Sequence, residues 1–260
     1  MSKIRVTIWN EFRHENLSRN HQYYHQETVD LYPKGFHQAI ADGIRADDLD
    51  IRCAWLDQPE QGLGEEVVNN TDVMLWWGHM ADEEVRDEIV KRVHSRVLDG
   101  MGLIVLHSGA NSKIFGCLMG SSCTYRWRDI AERERFWNIA PSHPIAQGVG
   151  EHFELQNSEM YGEPFDIPDD GKVIFMSWFE GGDVFRSGVA FERGNGKIFY
   201  FSPGHETYPV FYDKNVLKII GNAVRWAKPQ IFAKHSRPKR APLEDIPSRK
   251  PEAITSRIES

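Results

Sequence analysis

The chain has 260 residues, 40% hydrophobic and 27% charged, with a formal charge of −7. That balance suits one sizeable globular domain, offers no basic face for nucleic acid, and includes no apolar run near the ~20 residues a membrane span needs. The cysteines, Cys53, Cys117 and Cys123, cannot all pair and lack zinc-ribbon spacing, so a reducing, cytoplasmic setting is expected.

Met1-Ser-Lys-Ile passes straight into a first strand, Ile4–Trp9, so no signal peptide is expected. The polar run Asn10-Glu-Phe-Arg-His-Glu15 follows, where a first-strand loop would line a site. His21 and His25 are spaced to share one helical face, a zinc-like geometry, but the glutamate of the zinc-protease signature is missing. A helix with Ile40 and Ile44 one turn apart leads to a second strand, Asp50–Trp55, and a third, Thr71–Trp77. Asp82–Leu98 reads as one amphipathic helix, with Val85, Ile89, Val93 and Val97 as its stripe and acidic residues at its N-terminus.

Gly102-Leu-Ile-Val-Leu106 is an unbroken apolar run of the kind found in buried parallel strands. It ends on His107-Ser-Gly109, after which a helix starts. The rhythm to this point, strands alternating with helices, is that of a doubly wound α/β sheet. From Thr124 to Asn195 the pattern becomes irregular, with aromatic-rich loops and two short strands, Val173–Trp178 and Ser187–Glu192, resembling a meander. A strand ending at His205 and a last helix, Asp213–Lys228, complete a domain of residues 1–229. The Pro-rich, charged residues 230–260 read as an extended tail, and a homo-oligomer is expected because an ordered tail needs a surface to bury against.

Three strand-like runs deliver a histidine at the C-terminal end: His79, His107 and His205. In open α/β sheets ligands sit beyond those ends, so neighbouring strands would bring the three imidazoles together. They would serve as acid/base groups or as ligands of a divalent metal, zinc or manganese. Glu159, Tyr161 and Glu163 supply carboxylates and a ring in a Gly-interrupted segment. No dinucleotide or P-loop glycine pattern is present. Ser108 fails the G-x-S-x-G pattern because Leu106 stands two before it, and His107 falls where glutamine amidotransferases carry their cysteine.

Asn10–Glu15, Tyr32-Pro-Lys-Gly-Phe-His37, Trp76-Trp-Gly-His79, Leu106–Gly109, Glu159–Glu163, Ser177–Gly182 and Phe201–Tyr208 together resemble the trehalose-utilization ThuA family, over about residues 4 to 228. The resemblance implies a flavodoxin-like, glutamine amidotransferase-like fold, a mostly parallel sheet with helices on both faces, lacking the amidotransferase cysteine. It further implies disaccharide catabolism beside a nicotinamide-dependent sugar oxidoreductase that yields 3-oxo-glycosides. Family members often carry histidine where this chain has Asp82 and Ala110.

On this reading His107, Glu159 and His205 are expected to be catalytic in glycosidic elimination or hydrolysis of a disaccharide or its 3-oxo form. His79, His107 and His205 are the expected metal ligands, and Glu11, Trp77, Ser108, Tyr161 and Glu163 the substrate-binding residues, with Trp76 as a further flat face. The rival reading is a non-catalytic sugar-binding or assembly partner of the oxidoreductase. A third, amide hydrolysis, would need Ser108 as nucleophile.

Overall fold

The computed structural model describes residues 3–16, 25–230 and 241–247. The strands are β1 (Ile4–Asn10), β2 (Leu49–Trp55), β3 (Val73–Trp77), β4 (Gly102–Leu106), β5 (Arg126–Asn138), β6 (His152–Gly162), β7 (Lys172–Phe179), β8 (Val184–Arg193) and β9 (Gly196–Phe201). They form one sheet in the order β2-β1-β3-β4-β9-β8-β7-β5-β6. The pairs from β2 to β9 are parallel and those from β9 to β6 antiparallel. The result is an α/β sheet of mixed direction, its parallel half holding the strands read directly from apolar runs.

The helices are α1 (Gln26–Leu31), α2 (Phe36–Gly43), α3 (Glu65–Asn69), α4 (Asp87–Leu98), α5 (Lys113–Met119) and α6 (Lys214–Ala227). They cover both faces, because alternate strand residues point to opposite sides. Phe36 and Ile40 of α2 and Ile219, Ile220 and Val224 of α6 pack with Trp77 and Leu106 on one side. Ile89, Val93 and Val97 of α4 and Phe115 of α5 pack with Trp76 and Val105 on the other. Asp213 caps α6 by accepting from the backbone N–H groups of Asn215 and Val216 at 2.8 and 3.1 Å.

Two expectations need correction. The helix read over 82–98 is a 3-10 turn, Asp82–Glu84, followed by α4. Val85 and Arg86 between them are extended, and tertiary bonds replace helical ones: the Arg86 N–H donates to Gln61 Oε1 at 3.0 Å and Lys113 Nζ to the Val85 carbonyl at 3.0 Å. The segment read as irregular contains the two long strands β5 and β6. Its inward positions include Glu132, Glu134, Ser158 and Ser177, so the alternation that marks a half-buried strand is masked.

Residues 231–260 form a separate unit, of which residues 241–247 are described and are exposed without helix or strand. The rest of the tail, and His21 of the histidine pair, lie outside the described residues. Among the described residues no helix is long and apolar enough to cross a membrane.

Glu134 is the polar centre of the antiparallel half. It is fully buried, with Ser158 Oγ 2.5 Å and Ser177 Oγ 2.6 Å from its two oxygens. Burial pushes its carboxyl up to about 8, against the lowering effect of the serines. A carboxyl raised in the fold binds a proton that the unfolded chain has lost. Stability is therefore full below the unfolded value and falls as pH rises, by up to about 1.4 kcal/mol per pH unit, levelling off above the folded value. Glu134→Gln keeps one donor and one acceptor for the serines and cannot ionise. Urea denaturation between pH 5 and 8 is expected to show a flatter stability profile for this variant than for the wild type.

Candidate active site

Strands β3, β4 and β9 are neighbours, and their C-terminal ends carry His79, His107 and His205. The His107 ring centroid is 6.0 Å from that of His79 and 5.8 Å from that of His205. His107 stands at the elbow between β4 and the next turn with φ +53°, a left-handed conformation that costs a non-glycine residue about 1–3 kcal/mol. Gly204 permits the close approach of the β9 exit, since a Cβ there would lie 2.6 Å from His107 Cβ.

Both nitrogens of His107 are engaged. Nδ1 is 2.9 Å from the Ser202 carbonyl, which can only accept, so Nδ1 carries a proton. Nε2 faces Glu159 Oε2 at 3.0 Å and the Tyr161 hydroxyl at 3.1 Å. Tyr161 also stacks on the imidazole, 4.9 Å between centroids and 13° from parallel. Burial alone would lower the imidazole pKa, but the hydrogen bond and charge of Glu159, helped by the Ser202 carbonyl, raise it. Burial likewise pushes Glu159 up, yet the His107 interaction outweighs it and leaves the carboxyl below its usual value. Each of the two thus favours the charged form of the other.

His79 and His205 differ from His107: burial lowers both, only partly offset by Glu206. His205 Nδ1 accepts from the Thr207 N–H at 3.3 Å, which puts the ring proton on Nε2, 3.5 Å from Asp129 Oδ2. Glu206 is pushed up by burial, but the surrounding charges of His205, His14 and His79 pull it down to about 2.

A cavity of ≈460 Å³ opens over these groups. His79, Glu159, His205 and Asp129 supply its charged and titratable lining. Tyr125, Trp127 and Tyr161 supply rings, and Asn111 and Thr124 neutral polar groups. Bulges in the β5–β6 pairing between Arg128 and Glu134, with Ala131 at φ +56°, bend this ribbon. Tyr125, Trp127 and Asp129 all line the cavity, at the spacing of two that shares a strand face. That spacing was available in the sequence, where the segment read only as an aromatic-rich loop.

Several residues expected at substrate instead support the site from behind. Trp76 and Trp77 are 1% exposed and face opposite cores; Trp76 stacks on Trp9, and Trp77 Nε1 donates to the Gly204 carbonyl at 3.0 Å. Ser108 is buried and its Oγ donates to the Gly78 carbonyl at 3.0 Å, which removes it as an exposed nucleophile. Glu163 accepts from the Arg186 guanidinium at 2.8 and 2.9 Å and from the Phe165 N–H at 2.7 Å, outside the cavity. Glu11 is fully buried and accepts from the backbone N–H groups of His79, Met80 and Ala81 at 2.7 to 3.1 Å. Ala110 lies in the core, and Asp82 follows this loop.

Of the metal set expected from sequence, His79, His107 and His205, the central member has its Nδ1–H on the Ser202 carbonyl and its Nε2 3.0 Å from Glu159 Oε2. Among the described residues, one set of three histidine and carboxylate side chains, His14, His25 and Glu206, brings a ligand atom from each within 4.8 Å of the others.

The parallel half-sheet with helices on both faces makes this an α/β protein, with a histidine at the elbow after β4. The sequence profile of the ThuA family, described as trehalose utilisation, matches residues 5–227, and the chain belongs to that family. Among solved structures it is similar to a ThuA-like protein from Bacteroides uniformis, at 15% identity over 86% of this chain and 91% of that one, with a TM-score of 0.59. A ThuA-like protein from Parabacteroides merdae matches at 13% identity over 90% and 94%, TM-score 0.60. PurLQS from Thermotoga maritima matches at 12% over 86% and 99%, TM-score 0.51. These likenesses carry the fold. No curated protein matches the sequence.

Glu11 gives the site its clearest mechanical test. Glu11→Ala leaves three backbone donors without their acceptor, at about 1–3 kcal/mol each. Urea unfolding is expected to show a loss of at least about 3 kcal/mol. Glu11→Gln, which keeps one acceptor oxygen, is expected to lose less.

Proposed function

We propose that the chain is an enzyme of disaccharide utilisation that cleaves a trehalose-type glucoside through its 3-oxo derivative, by elimination at the glycosidic bond. One observation carries the reading: the Glu159–His107–Tyr161 cluster, a buried carboxylate against an imidazolium, opening on a ring-lined polar cavity. Aromatic faces accept the apolar C–H faces of pyranose rings, and the carboxylates and amide accept and donate at hydroxyls.

A 3-oxo group acidifies the neighbouring C2–H. Glu159, ionised and in the cavity, takes that proton. The C2 electron pair forms the C1=C2 bond as the C1–O bond breaks, and the leaving oxygen takes the proton of the Tyr161 hydroxyl, which the His107 imidazolium replaces across 3.1 Å. Protonated Glu159 then returns its proton to His107 across their 3.0 Å contact, restoring the pair. His205, with its proton on Nε2, is a hydrogen-bond donor for the developing enolate oxygen. A nicotinamide-dependent sugar oxidoreductase is the class of enzyme that would supply the ketone.

Wild-type protein is expected to convert 3-oxo-trehalose to glucose and an unsaturated 3-oxo sugar, read by glucose release and by the ultraviolet absorbance of the enone. Glu159→Gln is expected to lower kcat by at least about 100-fold and to abolish deuterium exchange at C2 in heavy water. If the wild type binds the sugar by calorimetry but neither exchanges C2–H nor releases glucose, the protein is a sugar-binding partner of the oxidoreductase instead.

A further inference from the structure

We propose that His14, His25 and Glu206 form a binding site for one divalent transition metal of the zinc class, adjoining the cavity. Their ligand atoms lie within 4.8 Å of one another although they come from three separate segments. His14 belongs to the β1 exit, His25 precedes α1, and Glu206 follows β9. The His14 and His25 rings lie 5.3 Å apart, and the His25 N–H donates to the His14 carbonyl at 3.3 Å, tying the two segments together.

Glu206 points to the ligand. It is 6% exposed, yet its Oε2 has no hydrogen-bond partner and lies 3.8 Å from His205 Nε2, while its Oε1 approaches only to 4.0 Å of His79 Nε2. A buried carboxylate oxygen without a donor is costly unless a cation satisfies it. Two imidazoles and one carboxylate are a donor set that zinc accepts while keeping a further position open, and Zn–N and Zn–O bonds of about 2.0–2.2 Å would need only a modest contraction of the side chains. The set shares no residue with His79, His107 and His205, and it spares the His107–Glu159 pair. Glu206 lies within 4.0 Å of two cavity-lining histidines, His79 and His205, so a cation held there would add positive charge beside the cavity.

The inference rests on the proposed function only for its interest, since metal binding is read without any sugar. Metal-stripped full-length protein is titrated with zinc against a chromogenic chelator, and the retained metal is measured by elemental mass spectrometry after desalting. The wild type is expected to hold about one zinc per chain. His14→Ala, His25→Ala and Glu206→Ala are each expected to weaken it by at least tenfold, and His107→Ala to leave it unchanged. His25 is exposed, so His25→Ala carries the test even if the two buried variants do not fold. No zinc on folded wild type, wild-type affinity in any folded variant of the three, or loss in His107→Ala would overturn the site. Failure there leaves the sugar assay standing, and failure of the sugar assay leaves the zinc titration standing.

Discussion

The contact between His107 and Glu159 is the constraint around which the site is arranged. Opposite charges removed from water must be matched, because a single buried charge costs several kcal/mol more than a pair. The His107 ring is held from every side: the Ser202 carbonyl at Nδ1, the carboxylate and the Tyr161 hydroxyl at Nε2, and the Tyr161 ring over its face. The pair also joins the two halves of the sheet, since His107 ends a parallel strand and Glu159 lies on an antiparallel one. The left-handed elbow is held in place by this pairing and by the glycine that lets β9 close against it.

Around that pair, buried polar side chains serve mainly to hold backbone. Glu11 gathers three consecutive amides of the His79 loop, and Ser108 holds the Gly78 carbonyl of the same loop. Glu163 fixes Arg186 and the turn at Phe165. These bonds fix the backbone of the loop that carries His79 and of the turn beside Arg186.

The centre of the parallel half was legible because β3 and β4 are buried along their whole length and read as unbroken apolar runs. The convergence of His79, His107 and His205 followed from strand ends alone. The antiparallel half was not, because Glu132, Glu134, Ser158 and Ser177 occupy its inward positions and erase the alternation. Trp76 and Trp77 beside His79 read as a sugar platform, but adjacent residues on a strand face opposite ways, and both rings fill cores. Glu11 and Glu163 looked like substrate ligands because a sequence shows a carboxylate but not the amides or guanidinium that claim it. The cluster of His14, His25 and Glu206 was invisible for a related reason: its members are distant in the chain.

The pairing of β4 with β9 has a further meaning. These strands lie side by side, yet the chain between them makes the whole of β5 to β8 before returning. The antiparallel ribbon is thus an excursion that leaves the parallel framework at one histidine and re-enters it just before another. Tyr125, Trp127, Asp129, Glu159 and Tyr161 all belong to that excursion, whereas His79, His107 and His205 belong to the framework. The molecule divides its labour along the chain: changes in the excursion would reshape what the cavity admits, while the row of imidazoles beneath keeps its spacing.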